Sequence, residues 1–168
     1  MPVQRLNHAV LYVRDLDRSI AFYTEALGFR VVTGIEGRAA FLQAEASTND
    51  HDLGLFAIGG DAGASRAGQA TVGLYHLAWE VDTLAELARI ERVLRERGAL
   101  VGASDHGSTK ALYAQDPDGL EFEVSWLVPA ALLGDDTEMR TAPLNLEAEL
   151  ARYGAETRGG VGVSVPTA

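Results

Sequence analysis

Two stretches of the chain share one layout: "LNHAVLYVRDLDRSIAFYTEALGFRVV" (Leu6–Val32) and "LYHLAWEVDTLAELARIERVLRERGALV" (Leu74–Val101). Each begins with Leu-x-His in an alternating run, which is typical of a β-strand, and continues through an Asp-containing turn. An amphipathic helix follows, a glycine ends it, and a β-prone run comes next. His8 and His76 stand at equivalent places in the two stretches. The chain is therefore predicted to contain two copies of one structural module.

Helix caps and β-prone runs give both modules the same order of elements. The first helix is predicted from the N-cap region Asp15–Asp17 to Gly28, and the second from Asp82–Thr83 to Gly98. Strands are predicted at Arg30–Gly34, Ala39–Glu45, Asp52–Ala57, Val101–Ala103, Ala111–Gln115 and Leu120–Leu127. We expect an α+β fold in which two βαβββ modules, about residues 4–58 and 72–127, pair into a curved mixed sheet around a central cleft.

The remaining segments connect or follow these modules. "GGDAGASRAGQAT" (Gly59–Thr71) is small, polar and turn-rich, and is interpreted as the linker. Residues 1–127 are predicted to form the main domain, and 128–168 a C-terminal extension. The extension is predicted to contain a short helix at about Leu146–Tyr153, capped by Asn145, and to finish in a flexible end, "AETRGGVGVSVPTA".

Composition excludes several classes of function. A length of 168 residues with 47% hydrophobic residues suits one domain with a sizeable core. The formal net charge of −10 argues against a nucleic-acid partner and against an anionic membrane surface. The chain has no cysteine, so any metal site must use His, Asp, Glu or backbone oxygens. No signal peptide and no membrane span are recognisable, and a cytoplasmic location is expected.

The stretch "HGSTKALYAQDPDGLEFEV" (His106–Val124) places two glutamates on one face of a strand. Alternation puts Glu121 and Glu123 on that face and apolar residues on the other. One interpretation is an antiparallel strand with one solvated face. The other is that one carboxylate points into a concave site and binds a metal. Two histidines at equivalent places favour the second interpretation, because two imidazoles and one carboxylate form a facial triad that suits Fe(II) or Mn(II).

The chain resembles the vicinal oxygen chelate superfamily, the group with glyoxalase I, bleomycin-resistance proteins and type I extradiol dioxygenases. The resemblance covers about residues 4–127 and is carried by "LNHAVLYVRDLDRSIAFYTEALGF", "YHLAWEVD" and "YAQDPDGLEFEV". It implies that the metal ligands are His8, His76 and Glu123. The ligand in that family stands four residues after the Gly of "DPDG", which selects Glu123 over Glu121.

Further motifs are similar to one-domain members of the catechol 2,3-dioxygenase type. The motif "NDHDLGLF" implies that His51 is an acid–base group near the oxygen site, and Tyr113 matches an active-site tyrosine that hydrogen-bonds the catechol. The motif "DHGSTKALY" implies that His106 hydrogen-bonds a substrate oxygen. The resemblance therefore implies ring cleavage of a catechol in aromatic catabolism by a homodimer, with Fe(II), or Mn(II) or another divalent metal, and O2.

The sequence also allows other functions. A glyoxalase I type site takes a fourth ligand from the last strand of the first module, and "DLGLFAI" offers no carboxylate beyond Asp52. A metal-dependent isomerase, epimerase or resistance transferase is nevertheless an alternative, as is a metal-free protein that binds a small molecule. Lys110 is expected to be solvated, and "DPDG" is interpreted as a turn without chemistry.

Overall fold

A computed structural model describes residues 2–3, 5–67, 70–134 and 140–160. The chain divides into two compact units, one of Met1–Ser65 with Asp116–Gly119 and one of Arg66–Gln115 with Leu120–Ala168. The helices are α1 (Leu16–Leu27), α2 (Leu84–Glu96) and α3 (Leu146–Tyr153). The strands are β1 (Ala9–Val13), β2 (Arg30–Ile35), β3 (Ala39–Gln43), β4 (Leu53–Ala57), β5 (Leu77–Glu80), β6 (Leu100–Asp105), β7 (Thr109–Gln115), β8 (Glu121–Leu127) and β9 (Ala142–Pro143).

The predicted α+β fold with two βαβββ modules is confirmed. In the first unit the strand order is β1-β4-β3-β2, with β1 parallel to β4 and the other pairs antiparallel. In the second unit the order is β5-β8-β7-β6-β9, with β5 parallel to β8. The parallel pair therefore joins the first and fourth strands of each module. The cleft between the modules stays a prediction.

The helix ends agree with the capping signals in the sequence. The carboxylate of Asp15 accepts a hydrogen bond from the backbone N–H of Arg18, and α1 ends at Gly28 with a φ of 74°. The hydroxyl of Thr83 accepts from the backbone N–H of Glu86 at the start of α2. These local hydrogen bonds fix the residue at which each helix begins.

The Asp-Pro-Asp-Gly turn is a structural anchor of the first unit. The buried Tyr23 hydroxyl donates to the Asp116 carboxylate at 3.0 Å, and the Arg14 guanidinium lies 2.8 Å from Asp118. Burial and the neighbouring charge of Asp116 raise the pKa of Tyr23 well above its usual value. The sequence predicts a turn here, but not the residues that hold it.

The C-terminal extension packs within the second unit. The predicted helix is confirmed as α3, and the side chain of its N-cap, Asn145, accepts from the backbone N–H of Ala148. The Trp126 ring lies 5.5 Å from the Tyr153 ring, and the Trp126 indole N–H donates to the backbone carbonyl of Thr157 at 3.2 Å. Residues 155–160, the first part of the predicted flexible end, therefore lie against this unit. Residues 161–168 of that end lie outside the described residues.

The expectation that Lys110 is solvated is wrong. Its side chain on β7 has no exposed surface, and its ammonium forms ion pairs with Asp105 on β6 and Glu149 on α3. Arg140 also binds the Asp105 carboxylate. Burial opposes ionisation of Asp105, but hydrogen bonds from Lys110, Arg140 and the Gly107 N–H outweigh it and lower the pKa of Asp105 to about 2. The lysine is buried because Asp105 on the neighbouring strand and Glu149 on α3 supply the opposite charge.

We expect Lys110→Met to lower the free energy of unfolding by about 3 kcal/mol, since it leaves the buried carboxylates of Asp105 and Glu149 short of a counter-charge. Urea unfolding followed by tryptophan fluorescence measures this change. Arg92→Met is the control, because the exposed Arg92–Glu96 pair on α2 contributes at most about 0.5 kcal/mol. Equal stability of the two variants would contradict the structural role of Lys110.

Candidate active site

The six residues singled out in the sequence lie in two clusters, one in each unit. The first cluster contains His8 and His51. The second cluster contains His76, His106, Tyr113 and Glu123. The three histidines His8, His51 and His76 stand just before strands of the two parallel pairs. Glu123 lies on β8, Tyr113 on β7, and His106 in the turn between β6 and β7.

The parallel pairing of β1 with β4 brings the two histidines of the first unit together. His8 immediately precedes β1, and His51 stands just before β4. Ala9 pairs with Leu53, so the residues before these strands are neighbours. The two imidazole centroids are 4.5 Å apart, and the Phe41 ring meets the His51 ring edge-on at 5.0 Å. Two residues distant in sequence thus form one imidazole pair.

One nitrogen of each imidazole has a polar neighbour. Nδ1 of His8 lies 2.7 Å from Oδ1 of Asn7, and Nδ1 of His51 lies 3.2 Å from Oδ1 of Asp50. Such contacts orient a ring and direct the opposite nitrogen, Nε2, away from them. The exposed Asp50 is therefore the carboxylate that contacts Nδ1 of His51.

The Asp52 carboxylate is hydrogen-bonded to the loop that precedes it. Its carboxylate accepts from the backbone N–H of Ala44 at 2.9 Å, the Ser47 hydroxyl at 2.7 Å and the Asn49 amide at 2.7 Å. Burial opposes its ionisation, but these hydrogen bonds prevail and lower the pKa of Asp52. Both oxygens of Asp52 accept hydrogen bonds from its own loop, which makes Asp52 a poor fourth metal ligand.

The parallel pairing of β5 with β8 brings His76 to Glu123. Ala78 pairs with Glu123, and Nε2 of His76 lies 3.3 Å from Oε2 of Glu123. The other Glu123 oxygen accepts from the Ser125 hydroxyl. Nδ1 of His76 is buried and has no hydrogen-bond partner among the described residues. Nε2 of His76 and Oε2 of Glu123 face each other, and an imidazole nitrogen beside a carboxylate oxygen is a donor pair that fits a divalent metal ion.

Tyr113 and His106 stand next to this pair. Tyr113 on β7 is directly opposite Glu123 on β8, and Nε2 of His106 lies 3.0 Å from the Tyr113 hydroxyl. Partial burial and the negative charge of Glu123, which is also its hydrogen-bond partner, raise the pKa of Tyr113. Tyr113 is therefore a neutral phenol at neutral pH.

The neighbouring glutamate faces a different partner. Glu121 hydrogen-bonds the exposed Tyr75 hydroxyl, and this bond raises the pKa of Tyr75. Glu121 therefore differs from Glu123 in its surroundings, although the alternation of β8 places both on one face.

An open pocket of about 470 Å³ adjoins the second cluster. It is lined by His106, Ser108, Thr109, Tyr113, Glu123, Arg140 and Thr141. Ser108 and Thr109 lie in the quoted motif "DHGSTKALY", but no sequence pattern pointed to Arg140 or Thr141. Both belong to the C-terminal extension, which has no repeat or motif to mark it as part of a site.

The three predicted metal ligands are divided between the two units. Within the part of the chain that is described, no group of three or more His, Asp or Glu side chains is arranged to hold a metal ion. His76 and Glu123 supply two ligands of suitable chemistry in the second unit, and His8 lies in the first unit.

Comparison with known proteins identifies the family. Residues 5–124 match the model of the Glyoxalase/Bleomycin resistance protein/Dioxygenase superfamily. The chain therefore belongs to this superfamily, as its motifs predicted. None of the described helices has the length and apolar character needed to cross a membrane.

Curated relatives include enzymes of different activities. A catechol-2,3-dioxygenase of Bacillus subtilis is 29% identical over 157 residues, 91% of this chain and 53% of that protein. A biphenyl-2,3-diol 1,2-dioxygenase of Rhodococcus globerulus is 36% identical over 71% of this chain and 62% of that protein. A lactoylglutathione lyase of Salmonella typhimurium is 34% identical over 71% of this chain and 90% of that protein. The chain thus spans between half and two thirds of the two dioxygenases.

Solved structures agree on the fold. A glyoxylase/bleomycin resistance protein/dioxygenase domain from Frankia is 24% identical, with a TM-score of 0.59 over 76% of this chain and 100% of that one. A glyoxalase/dioxygenase from Nostoc punctiforme is 23% identical, with a TM-score of 0.60 over 73% of this chain and 90% of that one. At these identities the likeness extends to the fold alone.

Proposed function

We propose that the protein is a metal-dependent extradiol dioxygenase that cleaves the ring of a catechol-type aromatic diol with O2. The observation that carries the proposal is the second cluster, in which His76 and Glu123 lie 3.3 Å apart, with Tyr113 and His106 beside them at the wall of a pocket. The two dioxygenase relatives support the same activity.

His8, His76 and Glu123 are the residues that would hold the metal, with Fe(II) as the ion that the family resemblance favours and Mn(II) as the alternative. When bound, the ion supplies a Lewis acid for the diol oxygens and a site where O2 is reduced. The open pocket beside Glu123 gives a small aromatic substrate access to this centre.

The surrounding side chains position the substrate and handle protons. Tyr113, kept neutral by its raised pKa, orients a catechol oxygen through a hydrogen bond and does not act as a base. His106 lines the same pocket and orients Tyr113, whose hydroxyl lies 3.0 Å from its Nε2. His51, whose ring packs against that of His8, donates a proton while the O–O bond breaks. Imidazole is suited to this role.

A second candidate is a metal-dependent isomerase, favoured by the lactoylglutathione lyase relative at 34% identity. An isomerase site of that type would need a fourth ligand from this module. Asp52 is a poor candidate, because its carboxylate accepts three hydrogen bonds from its own loop. The homodimer implied by the family resemblance and the cytoplasmic location expected from the sequence remain predictions.

The test is anaerobic loading with Fe(II), followed by an oxygen-electrode screen of catechols and a parallel assay of lactoylglutathione formation. We expect O2 uptake equimolar with the diol consumed and a yellow ring-opened product, and neither from protein without metal. If iron-loaded protein consumes no O2 with any catechol but forms lactoylglutathione, the dioxygenase proposal is wrong and the isomerase proposal replaces it.

A further inference from the structure

The C-terminal extension contributes to the pocket although it lies beyond residues 5–124, which match the family model. We infer that this extension is a positioning element of the site: the backbone carbonyl of Arg140 holds His106 in the tautomer protonated at Nδ1, so that Nε2 accepts the proton of Tyr113. The inference rests on the proposed function only for its effect on turnover.

The tautomer follows from the chemistry of the two partners of His106. Nδ1 lies 3.0 Å from the Arg140 carbonyl oxygen, which can only accept a hydrogen bond. In neutral His106, Nδ1 therefore carries the proton, and Nε2 is left with a lone pair. The Thr141 hydroxyl, 3.4 Å from Nδ1, is more distant and can itself accept. Nε2 faces the Tyr113 hydroxyl at 3.0 Å, so Tyr113 is the donor.

This arrangement decides where the single proton of Tyr113 lies. The phenol has two acceptors within reach, Nε2 of His106 and the carboxylate of Glu123. With His106 held as an acceptor, Tyr113 has a partner other than Glu123. The Glu123 carboxylate then stays available as a ligand, and the Tyr113 oxygen presents lone pairs to a substrate hydroxyl.

A buried charge cluster holds the extension in place. The Arg140 guanidinium binds the Asp105 carboxylate, which also binds Lys110, and Lys110 binds Glu149 of α3 at 3.1 Å. The side chains of Lys110, Asp105 and Glu149 are only 0%, 7% and 12% exposed. Breaking one partner out of such a cluster leaves another charge buried and unpaired, so the cluster resists opening.

The same cluster shapes the turn that carries His106. The Asp105 carboxylate accepts from the backbone N–H of Gly107 at 2.9 Å, and Asp105 pairs with Ala142 where β9 joins β6. Asp105 thus fixes the residue after His106 and the segment that holds Arg140. The turn that carries His106 and the segment whose carbonyl contacts its Nδ1 therefore both depend on this one carboxylate.

The experiment is 15N NMR of the imidazole nitrogens in the metal-free protein, which distinguishes the two neutral tautomers. The chain has four histidines, and the signals of His106 are those that disappear in His106→Gln. We expect His106 to be protonated at Nδ1 in the parent protein. We expect Arg140→Ala and Glu149→Gln to shift it towards the Nε2-protonated form that unconstrained histidine favours.

Glu147→Gln is the matched control, because Glu147 is an exposed residue on the same helix and should leave the tautomer unchanged. An Nε2-protonated His106 in the parent protein, or an unchanged tautomer in both test variants, would overturn the inference. In the iron-loaded enzyme we expect Arg140→Ala to lower kcat about 10- to 100-fold at unchanged iron content. The NMR result stands or falls independently of whether a catechol is the substrate.

Discussion

Glu123→Gln should weaken Fe(II) binding by about 100-fold or more, because it replaces an anionic ligand by a neutral amide of the same shape. The carboxylate lies 3.3 Å from Nε2 of His76, and its other oxygen accepts from Ser125, so the side chain is already oriented beside a second ligand. Anaerobic titration with Fe(II), read as metal retained after desalting, measures the loss.

Glu121→Gln on the same strand face is the control for this variant. Its carboxylate binds the exposed Tyr75, and we expect metal affinity to change less than about 3-fold. Should both glutamine variants retain iron equally, Glu123 would not be a ligand. Should Glu121→Gln alone lose iron, the ligand assignment would pass to the earlier glutamate.

His51→Phe should lower kcat by about 10²- to 10⁴-fold while the iron content stays the same. The imidazole of His51 packs against the rings of His8 and Phe41, and a phenyl ring preserves that packing while removing the proton donor. Steady-state oxygen uptake with the best catechol, together with metal analysis, measures both quantities.

Asp50→Asn tests the same role of His51 with a milder change. It keeps a side-chain oxygen beside Nδ1 of His51 but removes the charge, and a smaller loss of about 10-fold or less is expected. Unchanged turnover in His51→Phe would remove His51 from the mechanism. Loss of iron in that variant would instead show that its effect passes through His8.

Much of the fold was predictable because its signals are local. The Leu-x-His strands, the N-caps at Asp15 and Thr83 and the glycine at Gly28 mark each element by its own residues. The repeat then gives the order of elements twice, and each βαβββ unit is observed as predicted. Strand ends differ by only a few residues, since pairing with a neighbour decides where a strand stops.

Features that depend on distant partners were not predictable. Lys110 stands just before the predicted strand Ala111–Gln115 and reads as an ordinary surface lysine. Only the approach of Asp105 on β6 and Glu149 on α3 makes its burial possible. The two-residue β9 contains a proline and carries no strand signal, and Arg140 precedes it without a motif. Nothing local marks such residues, because their role arises from tertiary contacts.

The candidate site was predictable in part. Repeat symmetry pointed to His8 and His76, but the choice of Glu123 over Glu121 came from the family resemblance. In the structure the two glutamates differ in their neighbours, His76 and Ser125 for one and Tyr75 for the other. That difference is tertiary, and alternation alone places both on one face.

The most direct test of the metal centre is an anomalous difference map, recorded at the iron edge, from crystals grown anaerobically with Fe(II). We expect one strong peak bonded to a nitrogen of His8, a nitrogen of His76 and an oxygen of Glu123. A map in which the iron lies elsewhere, or is bonded to His76 and Glu123 without His8, would contradict the shared centre on which the proposed function rests.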